Sequence, residues 1–161
     1  MEKLKKQIKR WILFFMAALF ISGLTAIPVR PGINFLYRIT DDIGFVQSWM
    51  ERVHEGINDT ADKYPFLFYG YDWLAFAHFV LAILFIGPLR NPVKNIWVIE
   101  FGMIACLLVF PFAFIAGHFR GIPLWWRLID CSFGIAGLIS LIICYRKIIR
   151  LELLVKENEK L

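Results

Sequence analysis

Four long apolar segments constrain this chain more than any other feature of its sequence. They cover residues 11–29, 73–89, 96–117 and 124–145. At roughly 17 to 22 residues, each is close to the length of about 20 that a helix needs to cross the hydrocarbon core of a bilayer. Hydrophobic residues make up 59% of the chain and charged residues 19%, whereas a soluble domain is about half apolar and about a quarter charged. The sequence therefore predicts an all-α integral membrane protein.

The positions of the basic residues predict how these spans are oriented. Two thirds of the 18 Lys and Arg residues lie before the first span, between the second and third, or after the fourth. Because such residues are enriched in cytoplasmic segments, we expect both termini to be cytoplasmic, with residues 146–161 as a cytoplasmic tail. A bacterial cytoplasmic membrane is the expected location. The net charge of +5 is concentrated at the membrane edges and does not favour nucleic acid as a partner.

Short connections predict how the spans pack. Asn91 and Pro92 make a tight turn between the second and third spans, and residues 118–123 make another before the fourth. Helices joined by short connections pack as antiparallel neighbours. We therefore expect residues 1–161 to form a single domain, an antiparallel four-helix transmembrane bundle.

The segment after the first span carries a helical pattern of apolar residues. They recur at alternating spacings of three and four at Leu36, Ile39, Ile43, Val46, Met50, Val53 and Ile57. This pattern predicts an amphipathic helix over residues 33–58 on the outer side. Such a helix could lie on the outer leaflet or cover the bundle as a lid. The segment is acidic, which favours the lid over adsorption to anionic lipid, with Trp49, Met50 and Val53 as its candidate residues.

Ionisable residues inside the spans are the best sequence pointers to a site, because they are costly there unless partnered. From the helical rise, His78, Arg127 and Asp130 lie roughly 5 to 9 Å below the outer surface, and His118 ends the third span at that surface. They form one candidate polar site. Two structural alternatives stay open, an ion pair between Arg127 and Asp130 on one helix face and a packed, hydrogen-bonded His78. Glu100 is an inner-side carboxylate that we expect to reach the basic membrane edge.

The same residues leave open a metal or haem site, although no cofactor is predicted. His78, His118 and Asp130 form a chemically sensible zinc set, and the two histidines could hold a haem. No H-x-x-x-H or H-E-x-x-H motif supports either. Cys106, Cys131 and Cys144 all fall inside spans and form no C-x-x-C, which is typical of reduced, buried cysteines.

Three classes of function are compatible with this sequence. The first is a non-enzymatic protein that binds a lipid or an apolar small molecule, or acts as an accessory membrane subunit. It would have membrane lipids, partner subunits or a second copy of itself as partners. The second is an enzyme acting on a lipid or isoprenoid near the outer leaflet, and the third is a metal or proton transporter. Four spans with a structured segment after the first resemble, in layout only, the EXPERA type of sterol- and drug-binding proteins, and no functional residue is carried over.

Overall fold

The computed structural model describes residues 1–40 and 43–158, and these residues are mostly helical with no β-strand. A short 3₁₀ helix, Pro65–Phe68, precedes α4. The α-helices are α1 (Glu2–Ala26), α2 (Val29–Thr40), α3 (Gly44–Lys63), α4 (Tyr69–Leu84), α5 (Ile86–Arg90), α6 (Ile96–Phe119) and α7 (Leu124–Asn158). The all-α fold predicted from the sequence is confirmed.

Among the described residues, four helical segments are long and apolar enough to cross a membrane. They are Glu2–Ala26, Pro65–Arg90, Ile96–Phe119 and Leu124–Asn158. The second combines the 3₁₀ helix, α4 and α5. The four apolar segments of the sequence therefore correspond to four such helices, and the chain is an integral membrane protein.

The amphipathic segment forms two helices instead of the single helix predicted over 33–58. Near the end of α2, the Thr40 hydroxyl donates to the Leu36 carbonyl at 2.8 Å, and α3 begins at Gly44. Residues 41 and 42 of the predicted helix lie outside the described residues. The predicted end at residue 58 is wrong, because α3 continues to Lys63. The side-chain amide of Asn58 donates to the backbone carbonyl of His54 within the same helix, at 2.8 Å.

The last helix also extends beyond its predicted span. α7 runs for 35 residues without interruption, so described residues 146–158 of the predicted tail are helical. Residues 159–161 lie outside the described part of the chain. Buried side chains on α7 continue at spacings of three and four through Leu141, Cys144, Ile148 and Leu151. This spacing keeps one face of the helix packed past the end of the apolar run.

The residues form two compact units. The first contains Met1–Ala17 and the described residues from Ala82 onward, and the second contains Ala18–Leu81. The single-domain organisation stays a prediction.

In the first unit, α6 and α7 pack closely as an antiparallel pair. A Cβ added at Gly134 would lie 3.0 Å from the carbonyl oxygen of Cys106, and one added at Gly102 would lie 2.8 Å from Leu141. Small residues permit this approach, as is common between membrane helices. The start of α1 packs on α7, where the Lys147 ammonium donates to Gln7 at 2.8 Å.

In the second unit, the described residues of α1 and α4 pack through a glycine and aromatic rings. A Cβ at Gly23 would lie 3.0 Å from the carbonyl oxygen of Ala75 and 2.7 Å from the Phe79 ring. The rings of Phe20 and Phe79 are 5.0 Å apart. α2 and α3 form a helical hairpin, referred to below as the α2–α3 hairpin.

Candidate functional site

The residues predicted to form one polar site are divided between the two units. His118, Arg127 and Asp130 belong to the first unit, together with Glu100. His78 belongs to the second unit, together with the candidate lid residues. Each group therefore lies within its own unit.

Arg127 is bound to the backbone of the turn between α6 and α7. Gly121 adopts a positive φ of 65°, and the Ile122 amide donates to the Gly117 carbonyl at 2.9 Å. This arrangement is typical of a helix that ends at a left-handed glycine. It places the Ile122 carbonyl where it accepts a hydrogen bond from Arg127 Nε at 2.7 Å. The Arg127 side chain crosses Gly117 so closely that a Cβ there would lie 2.8 Å from it.

The ion pair between Arg127 and Asp130, one of the two structural alternatives, does not form. In the described structure, no guanidinium nitrogen of Arg127 lies within 4.0 Å of a carboxylate oxygen of Asp130. Asp130 is half-buried on α7, and no described side chain makes a hydrogen bond or ion pair with it. A carboxylate within an apolar span is costly without a partner, so Asp130 is the polar residue of this unit that most needs one.

The other two candidate residues of the first unit, His118 and Glu100, lie towards opposite ends of α6. His118 is exposed in the last turn of α6, with its ring 5.8 Å from the Phe119 ring. Glu100 is half-buried near the start of α6. It makes no ion pair with Arg90 or Lys94 in the described structure, and the expectation that it reaches the cytoplasmic interface stays a prediction.

His78 is half-buried on α4 and hydrogen-bonded within its own helix. Its Nδ1 lies 2.8 Å from the Leu74 carbonyl oxygen. Because a carbonyl only accepts, Nδ1 carries the proton in this bond. The bond supports the hydrogen-bonded alternative for His78.

No metal-binding group is present in the described structure. No three His, Cys, Asp or Glu side chains in residues 1–40 and 43–158 lie close enough together to hold a metal ion. The zinc set of His78, His118 and Asp130 draws on both units and stays a hypothesis, as does a haem between the two histidines.

The candidate lid residues occupy different environments on α3. Met50 is 1% exposed, and Val53 is half-buried. The Trp49 ring lies 5.8 Å from the Arg52 guanidinium carbon, a cation–π distance. The lid role of these residues stays a prediction.

The α2–α3 hairpin also carries a polar network that the sequence analysis missed. Arg30 Nε donates to Asn58 Oδ1 at 2.8 Å, and its guanidinium pairs with Asp62 at 2.9 Å. The side-chain amide nitrogen of Asn58 donates to Asn34 Oδ1 at 2.9 Å. On α2, Arg30 lies four residues before Asn34, and on α3, Asn58 lies four residues before Asp62. Residues spaced four apart share a face of a helix. That spacing was the available signal.

The α2–α3 hairpin presents several large apolar side chains that are exposed. On α2, Phe35 is 63% and Ile39 is 58% exposed, and Phe45 near the start of α3 is 70% exposed. No residue of α2 is fully buried. Exposed apolar patches of this kind mark surfaces that contact a membrane, a ligand or another protein.

Comparison with known proteins gives no relative. The chain matches no family model, no curated protein and no solved structure.

Proposed function

We propose that this chain is a non-enzymatic integral membrane protein that binds a lipid or another apolar molecule through the α2–α3 hairpin. In this proposal the four long helices form an antiparallel bundle in a bacterial cytoplasmic membrane, with both termini cytoplasmic. The hairpin then lies on the outer side. The charge distribution along the sequence supports that orientation.

The exposed apolar face of α2 is the observation that carries the proposal. α2 begins at Val29, directly after α1 ends at Ala26, so chain connectivity keeps α2 close to the membrane surface where α1 emerges. Phe35 and Ile39 are then within reach of lipid. Their transfer from water to an apolar environment is favourable by roughly 1.5 to 3 kcal/mol for each fully buried side chain. This face supports contact of α2 with the outer leaflet or with an apolar ligand, in place of a purely protein-covered lid.

Two hydrogen bonds tie polar side chains of the long helices to the backbone. Arg127 donates to the Ile122 carbonyl, and His78 bonds to the Leu74 carbonyl. Both partners are backbone groups of the same helix or of the adjoining turn. These bonds give both polar side chains a structural role inside the membrane, where unsatisfied polar groups are costly.

Photocrosslinking in lipid vesicles tests this proposal. The protein is reconstituted with a phospholipid carrying a diazirine in its acyl chain, irradiated and analysed by peptide mass spectrometry. We expect adducts on the peptides that contain Phe35, Ile39 and Phe45. Protection of those peptides, with adducts confined to the four long helices, would refute contact of the hairpin with lipid.

Native mass spectrometry from a mild detergent tests whether the protein keeps a lipid or another ligand bound after purification. We expect a mass beyond the bare chain in the natural protein and its loss in the Phe35→Gln/Ile39→Asn double variant. The matched control is Glu51→Gln/Glu55→Gln, which changes two exposed positions on α3 and should keep the extra mass. A bare chain in all three samples would contradict the binding function.

Asp130 supports an accessory membrane subunit as the second candidate. Its half-buried carboxylate has no partner in the described structure, and a cation on a neighbouring transmembrane helix would supply one. In native membranes, the Asp130→Asn variant should then migrate as a smaller complex than the natural protein in blue native electrophoresis. Equal sizes would argue against this role.

A further inference from the structure

A groove of about 690 Å³ opens between the first turns of α1, the α5–α6 turn and the last turns of α7. All of its lining residues belong to the first unit. Its volume falls within the range of about 300 to 1,000 Å³ that is typical of small-molecule sites. The basic side chains that line it are Lys5, Lys9, Arg90, Lys94 and Lys156. We refer to it as the basic groove.

Two of these cations are neutralised within their own helices. Lys5 pairs with Glu2 at 3.3 Å on α1, and Lys156 pairs with Glu152 at 2.7 Å on α7. Both carboxylates also line the groove.

The other three cations give the groove its excess positive charge. Lys9, Arg90 and Lys94 have no carboxylate within 4.0 Å in residues 1–40 and 43–158. Lys9 lies on α1, Arg90 ends α5, and Lys94 lies in the turn before α6. The positive-inside rule requires only a number of cations on one side of the membrane, whereas these three line the same groove.

The segment from Arg90 to Lys94, which carries two of these cations, is held by its own hydrogen bonds. The Lys94 backbone amide donates to Asn91 Oδ1 at 3.1 Å. The Asn95 side-chain amide donates to the Gly87 carbonyl at 3.2 Å and to the Asn91 carbonyl at 2.9 Å. These bonds fix the backbone between Arg90 and Lys94, which reduces the ordering cost of binding an anion between them.

Apolar side chains line the same groove beside the cations. They include Val93, Leu151 and Val155. An apolar wall beside a set of cations matches a molecule with a charged group and a hydrocarbon chain. A small inorganic anion would use only the charged part.

We propose that the basic groove binds a phosphate group carried by an anionic phospholipid of the cytoplasmic leaflet. Lys9, Arg90 and Lys94 contact the phosphate oxygens, and Val93 and Val155 contact the start of the acyl chains. Basic pockets between membrane helices on this side are suited to anionic lipid headgroups. This site lies in the first unit and does not depend on the function proposed for the α2–α3 hairpin. Its assignment to the cytoplasmic leaflet rests on the proposed orientation.

The test compares two variants that each lose three positive charges. The groove variant, Lys9→Gln/Arg90→Gln/Lys94→Gln, replaces the three unpaired cations of the groove with neutral side chains. Lys3→Gln/Lys6→Gln/Arg150→Gln removes three exposed cations that do not line the groove. Each protein is reconstituted in nanodiscs of phosphatidylcholine with a minor fraction of phosphatidylglycerol, released into mild detergent and examined by native mass spectrometry.

We expect the natural protein to retain phosphatidylglycerol in preference to phosphatidylcholine. The groove variant should lose affinity by about fivefold per removed charge, on the order of 100-fold in total, and the control variant should retain the lipid. Lys9→Arg/Arg90→Lys/Lys94→Arg, which keeps every charge, should bind as the natural protein does. Equal loss in the groove and control variants would overturn the proposal, because it would show attraction by bulk charge alone.

A parallel titration with inorganic phosphate distinguishes the source of the phosphate group. If phosphate alone protects the natural protein from thermal unfolding and does not protect the groove variant, while no lipid is retained, the site is a phosphate site for a soluble ligand. That result would overturn the lipid assignment.

Discussion

Replacement of Gly134 by alanine tests the close approach of α6 and α7. An alanine Cβ at this position would lie 3.0 Å from the Cys106 carbonyl oxygen and 3.3 Å from Val109 Cβ, where ordinary contact begins at 3.4 Å. The nearest atom belongs to the backbone of α6 and cannot rotate away. The two helices must therefore separate by several tenths of an ångström. We expect Gly134→Ala to weaken the packing of the pair.

The expected magnitude combines two opposing contributions. Overpacking of a close contact costs about 1 to 3 kcal/mol, whereas alanine gains about 1 kcal/mol over glycine from helix propensity. The net expectation is a loss of about 1 kcal/mol, which corresponds to a fall in Tm of about 2 to 4 °C for a chain of this size.

Gly56→Ala is the matched control for this prediction. Gly56 lies inside α3, and a Cβ there would meet nothing within 4 Å. The same substitution should therefore stabilise the protein by about 0.5 to 1 kcal/mol. Both variants are measured by thermal unfolding in one detergent, monitored by circular dichroism. If Gly134→Ala stabilises the protein as Gly56→Ala does, our account of the α6–α7 contact is wrong.

Two further predictions concern polar contacts. Asn58→Ala removes the partner of three hydrogen bonds in the α2–α3 hairpin, and should cost about 1 to 2 kcal/mol and speed amide exchange in α2. Asp62→Asn, which removes one exposed ion pair, should cost less than about 1 kcal/mol, and equal exchange rates in the two variants would count against a central role for Asn58. In thermal unfolding of the detergent-purified chain, Arg127→Gln should lower Tm because it removes the bond to the Ile122 carbonyl. Asp130→Asn should not lower Tm, because no described residue pairs with the carboxylate, and a larger loss from Asp130→Asn than from Arg127→Gln would reverse this assignment.

The sequence predicts the long helices well because their signal is local. Each apolar run has its length and composition fixed along the chain, so no tertiary contact is needed to recognise it. The break between α2 and α3 is different. The apolar spacing continues through Ile39, Ile43 and Val46 although the helix does not, so periodicity alone could not place the break. The packed extension of α7 past Tyr145 was missed because charged residues interrupt the apolar run there, while the buried face of the helix continues through Ile148 and Leu151.

The candidate site was predicted only in part for a similar reason. Helical rise gives the depth of Arg127 and Asp130, and their spacing places them on neighbouring positions. Neither the helical rise nor the spacing reveals that Arg127 donates to the Ile122 carbonyl. That carbonyl comes within reach of Arg127 because α6 ends at the turn that contains Gly121. The contact between Arg30 and Asn58 likewise depends on α2 folding back on α3.

The uninterrupted length of α7 has a mechanical consequence. At about 1.5 Å of rise per residue the helix is roughly 52 Å long, whereas the hydrocarbon core of a bilayer is about 30 Å thick. Asp130 near one end and Glu152 near the other lie roughly 33 Å apart on one rod. A tilt of about 10° centred on Asp130 would carry Glu152 sideways by roughly 6 Å, given that rise. A movement of this helix at one membrane surface therefore becomes a displacement at the opposite surface, with no hinge between them to absorb it.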